Sequence, residues 1–171
     1  MSLKNNKGRN GVLLAAVLLG STLCQAADLV REDRYADITV GNSVATILQI
    51  GSYNKARVDQ SGASQRILQS QVGSRNQAVI NQSGANNSIT AQQNGSGNTT
   101  QVTQSGNQNQ TGVAQHGTDN TANVVQTGAY NQAFVGQYGQ SNQATVNQAG
   151  FGGTVSVTQY GDNMKASATQ R

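Results

Sequence analysis

Gln126-Thr-Gly128-Ala-Tyr-Asn131-Gln-Ala133-Phe-Val135-Gly-Gln137 is one unit of a pattern that governs most of this chain. Its glutamine recurs every eleven residues, at Gln49, Gln60, Gln71, Gln82, Gln93, Gln104, Gln115, Gln126, Gln137, Gln148, Gln159 and Gln170. Two residues after each of the first eleven stands a glycine: Gly51, Gly62, Gly73, Gly84, Gly95, Gly106, Gly117, Gly128, Gly139, Gly150 and Gly161. Three residues further on, eight units carry asparagine, at Asn54, Asn76, Asn87, Asn98, Asn109, Asn120, Asn131 and Asn142. Spacing this strict marks a stacked repeat, in which each unit covers its neighbour and none buries a core alone.

Counted from the glutamine, positions 6, 8, 10 and the next glutamine read Asn, small, β-branched, Gln. The small position holds Ala56, Ala78, Ala122, Ala133 and Ala144; the β-branched one holds Val58, Ile80, Val102, Val113, Val124, Val135, Val146 and Val157. Side chains alternate along a strand, so these four positions share one face, which the pattern makes the inner one. The intervening residues, such as Lys55 and Arg57 or Gln143 and Thr145, form the outer face. The four-residue stretches around each glycine read as turns, where φ > 0 favours glycine. An amphipathic helix with an eleven-residue period is the alternative. Regular glycines, β-branched residues and the lack of charged helix faces oppose it.

The predicted fold is therefore all-β: a cross-β solenoid with one strand and turn per eleven residues and one coil per twenty-two. Ser43, Ala45, Ile47 and Gln49 fit the grid upstream, giving a twelfth strand and six coils over residues 43–171. Coils are expected in register about 4.8 Å apart, with the two sheets about 10 Å apart. Stacked Gln and Asn amides then bond along the axis, which answers the cost of burying them. Both end coils are expected to offer open edges, because neither proline nor a terminal helix signal caps them.

Composition alone suggests disorder: 42 of 171 residues are Asn or Gln, only 35% are hydrophobic, and Trp and Pro are absent. The grid decides against that, since disorder imposes no spacing. The net charge of +4 is also misleading. Lys4, Lys7 and Arg9 precede an apolar run, Val12 to Leu19, then Leu23-Cys24-Gln25-Ala26-Ala27. This reads as a secretory signal peptide over residues 1–26, cut after Ala26 or alternatively Ala27. The run is shorter than the roughly 20 residues a span needs. Without residues 1–26, eight Lys/Arg face seven Asp/Glu, a net of +1, so nucleic acid is not expected as a primary partner.

Leu23 stands where a lipoprotein signal expects a small residue, so Cys24 reads as an ordinary exit-region residue rather than a lipidation site. Residues 27–42 form a charged segment, with Asp28, Glu32, Asp33 and Asp37 among its members; its plain reading is a solvated tail. A lone His116, no cysteine past the signal and scattered carboxylates supply neither a metal set nor a nucleophile–base pair. No enzyme activity and no cofactor are expected.

Ser43-x5-Gln49-x4-Asn54-x5-Gln60 matches the motif of curlin repeats, and over residues 43–170 the chain resembles the curlins, secreted subunits of bacterial curli amyloid fibres. That resemblance implies export through the curli secretion pore with its accessory factors. It further implies assembly at the outer cell surface into biofilm and adhesion fibres (a pilus-like form), with the major curlin and with itself as partners. It also implies that the charged segment is read by the secretion apparatus. The strict period, the glycine turns and an irregular last repeat resemble the minor, nucleating subunit; there Gly153 and Met164 replace Asn, and Ala168 replaces the β-branched residue. A major fibre subunit is the alternative. A monomeric ice-binding or adhesin solenoid fits less well, because its outer face needs a regular array. Here outer pairs run Lys55/Arg57, Gln77/Val79, Thr99/Gln101 and Gln132/Phe134.

Overall fold

A computed structural model of the chain describes residues 13–16, 34–40 and 42–171. Residues 27–33, most of the predicted signal peptide and its cleavage site lie outside them. Two short strands come first, β1 (Leu13–Ala16) and β2 (Arg34–Val40). The repeats follow as β3 (Ser43–Ser52), β4 (Lys55–Ala63), β5 (Arg66–Ser74), β6 (Gln77–Ala85), β7 (Ser88–Ser96) and β8 (Thr99–Asn107). They continue as β9 (Gln110–Thr118), β10 (Thr121–Ala129), β11 (Gln132–Gln140), β12 (Gln143–Phe151), β13 (Thr154–Tyr160) and β14 (Lys165–Gln170).

Odd and even strands part into two sheets. The even sheet runs β1-β4-β6-β8-β10-β12-β14, the odd one β13-β11-β9-β7-β5-β3-β2. All pairs among β3–β14 are parallel, at an offset of twenty-two residues: Gln82 lies beside Gln104, which lies beside Gln126. Six coils are therefore stacked in register, as the grid demands. The inner faces meet in a core that includes Ile80, Val102, Val124 and Val146, all fully buried. Alternation along β6, β8 and β10 follows the expected inward set.

The turns are tighter than the four residues expected from sequence. Strand pairing carries on through the glycine, Gly84 beside Gly106 beside Gly128, and the breaks between repeat strands span two residues, such as Asn86-Asn87, except the last, which spans residues 161–164. A Cβ built on Gly106 (φ +116) would overlap the carbonyl oxygen of Gly128 in the next coil. The stack itself thus excludes a side chain there, beyond any demand of a single turn. The residue before each asparagine is also left-handed, as at Tyr53, Arg75, Asp119 and Tyr130. Its amide donates to the coil below, Asn86 to Ala63 O at 3.0 Å for instance, so hydrogen bonding along the axis continues round the bends.

The first coil's edge differs from the open one expected. β2 pairs antiparallel with β3, Arg34 opposite Gln49 and Val40 opposite Ser43, and β1 pairs antiparallel with β4. An antiparallel strand ends the parallel array, because it carries no glutamine or asparagine in register with the ladder. The periodic grid gives no hint of it, since β2 lies in the non-repetitive charged segment. Among the described residues, nothing pairs with the far edges of β13 and β14.

Candidate assembly interface

The glutamines form two ladders. In the odd sheet Gln49 donates through Nε2 to Oε1 of Gln71 (2.6 Å), and the chain of bonds continues through Gln93, Gln115 and Gln137 to Gln159. In the even sheet Gln60, Gln82, Gln104, Gln126, Gln148 and Gln170 do the same at 2.7–3.2 Å. Every one of these bonds donates toward the C-terminal coil. The second Nε2 hydrogen commonly reaches the facing strand: Gln115 donates to Thr99 O and Gln137 to Thr121 O, each at 3.0 Å. The ladder glutamines are buried except Gln60 and Gln170, half-buried in the end coils. An amide buried without partners costs about 1–3 kcal/mol; here each interior rung receives and gives.

The asparagines act differently, as clasps on the turns. Asn120 Oδ1 accepts the backbone N–H of Asn142 (3.1 Å), while its Nδ2 donates to Gly139 O (2.9 Å) and back to Asn98 Oδ1 (3.1 Å). Asn54, Asn76, Asn87, Asn98, Asn109 and Asn131 likewise accept from the next coil and donate to the glycine carbonyl above them. Ser43 keeps part of the role, its Oγ accepting from Gln65 N at 3.2 Å. The repeat therefore needs asparagine, glycine and glutamine at fixed spacing because clasp, bare carbonyl and rung belong to one axial network.

Several participants escaped the sequence reading. Thr100 and Thr111 occupy the small inner position, and their hydroxyls donate to Oε1 of Gln115 (2.8 Å) and Gln126 (2.7 Å). Their place in the grid was the available signal. The left-handed residue before the asparagine was likewise missed, although no β-branched residue occurs there. Gln65, just before β5, and Gln69, within it, break the pattern. Gln69 is fully buried between Ile47 and Ala91, and neither of its amide atoms has a partner. Coil three exchanges the bulk of the two columns, with Ile89 in the small one and Ala91 in the β-branched one, whereas coil two holds Ile67 together with Gln69.

Outside the network, aromatic side chains gather on the later coils. His116, Tyr138 and Tyr160 stack along the odd sheet, ring centroids 5.5 and 4.9 Å apart, and Phe151 lies against Tyr130. Phe151 and Tyr160 are 79% and 72% exposed. His116 thus belongs to a ring stack. Among the described residues, Arg57–Asp59 is the ion pair seen, at 2.9 Å, and no three metal-ligating side chains converge.

Such an arrangement offers chemistry of one kind: parallel backbone edges and amide rungs that another coil can continue. The fold defines an in-register β-solenoid built for axial stacking. The family model for the curlin associated repeat matches residues 95–128 and 117–150, so this part of the solenoid is built of curlin-type repeats. That match implies a structural subunit of extracellular curli fibres, self-polymerising in kind. Neither a curated protein nor a solved structure matches the chain.

Proposed function

We propose that the chain is the minor curli subunit, which starts polymerisation of a major curlin at the cell surface after export with loss of residues 1–26. One observation carries this reading. The glutamine ladders stay in register to the last coil, while its clasps fail: Gly153 and Met164 donate their backbone N–H groups to Oδ1 of Asn131 and Asn142 yet hold no side-chain amide for a following coil. Such a chain keeps the template but is poorly suited to indefinite self-extension. An enzyme or a small-molecule binder would need convergent polar groups, and the exposed faces carry ladders of unrelated residues instead. The charged segment, by this reading, serves recognition by the secretion apparatus.

Substoichiometric seeding tests the proposal. Preassembled chain added to monomeric major curlin should shorten the thioflavin lag. An unchanged lag at any seed ratio would remove the nucleating role and leave that of a fibre subunit.

A further inference from the structure

Two neighbouring columns of the even sheet change character at their ends. One reads Asn54, Asn76, Asn98, Asn120, Asn142, Met164 and the other Lys55, Gln77, Thr99, Thr121, Gln143, Lys165. Inside the stack, each asparagine gives the coil above an acceptor for a backbone N–H and a donor for a glycine carbonyl, as Asn120 does for Asn142 and Gly139. Met164 supplies neither. If a second copy, with β1 and β2 displaced from β4 and β3, seated its first coil on the last coil in register, Asn54 would lie over Met164 and Lys55 over Lys165. Neighbouring strands are about 4.8 Å apart, so the two ammonium groups would face one another directly, an arrangement that destabilises a sheet. Among the described residues, no ion pair engages Lys55 or Lys165 to relieve it. On the opposite turn, Ser43 would meet Gly153, which has no side-chain acceptor for its N–H. Both glutamine ladders, by contrast, would continue without a break, Gln159 to Gln49 and Gln170 to Gln60.

We propose that Met164 and Lys165 make the last coil a poor seat for a second copy of this chain. The partner it fits is a different chain of the same coil geometry, with a carboxylate in the Lys55 column. An ion pair to Lys165 then stands in for the missing clasp. The inference rests on the axial-stacking reading and adds to it the residues that select the partner.

A charge-exchange cycle tests it through the critical concentration and lag of the purified full chain. Both positions are exposed, so the variants keep the fold. Lys165→Glu pairs with Lys55 of the next copy and should lower the critical concentration several-fold. Met164→Asn restores the clasp, and the two changes together should give roughly tenfold. The Lys165→Glu gain should vanish near 1 M salt, where the Debye length is about 3 Å, and that of Met164→Asn should persist. Lys55→Glu mixed with the unaltered chain should assemble faster than the unaltered chain alone, whereas Lys55→Glu/Lys165→Glu should be slow again. Equal assembly of Lys165→Glu and the unaltered chain, or a double glutamate variant as fast as the single, would overturn the inference. Failure of every variant to assemble, seeded or not, would overturn the stacking reading itself and this inference with it.

Discussion

Replacing Gln126 with leucine probes the interior of the even ladder. Gln126 is fully buried; it accepts from Gln104 Nε2 and Thr111 Oγ1, both at 2.7 Å, and donates to Gln148 Oε1 at 2.8 Å. Gln104 keeps a second partner in Thr111 Oγ1 at 2.9 Å. The Thr111 O–H loses its acceptor and Gln148 Oε1 loses its donor. Two orphaned groups cost about 2–6 kcal/mol together, and burying leucine returns about 1.5–3 kcal/mol. The net loss is near 2 kcal/mol, which for a chain of this size lowers Tm by about 4–8 °C. Far-UV circular dichroism on dilute, unassembled protein reads it. Outward Gln101→Leu is the control and should stay within about 0.5 kcal/mol of the unaltered chain. Adding Thr111→Val to Gln126→Leu removes one orphan and should recover about 1 kcal/mol. Equal shifts for Gln126→Leu and Gln101→Leu, or no recovery with Thr111→Val, would refute the ladder account.

Gln69→Val should stabilise the chain by about 1–3 kcal/mol, because it removes a buried amide with no partner from a column of apolar residues; a lower Tm for this variant would show that Gln69 has a partner in solution. Gly106→Ala should prevent coils three and four from closing, since its Cβ would overlap Gly128 O at a backbone angle of +116°. Amide hydrogen exchange on the variant is expected to show lost protection in β8 and β10, and native-like protection there would contradict the close approach.

Much of this molecule was legible because repetition turns one local pattern into many observations. The face assignment needed only the two-residue alternation of a strand, and the coil length followed from pairing eleven-residue units across two sheets. Glutamine as an axial rung also followed, because a buried amide has few other solutions. What escaped depends on groups from different coils. That glycine must be bare because of a neighbour's carbonyl, or that Thr100 completes a rung between Gln93 and Gln115, is set by the coil above. The antiparallel β2 escaped for the opposite reason: it is not periodic, and a single short strand leaves no spacing to read. Gln69 sat in plain view as a break in a column, but its lack of partners is a property of the packed core.

The common sense of the glutamine bonds has a consequence for how cohesion grows with length. All ten donate toward the C-terminal coil, so the amide dipoles add along each row and every bond polarises the next. Such chains strengthen by about 10–30% per bond. A row of two is then disproportionately weak, a row spanning several molecules disproportionately strong, and the surface at one extremity differs electrically from the other. Short stacks are therefore expected to dissolve more readily than long ones, with the direction of the rows fixed by the first molecule.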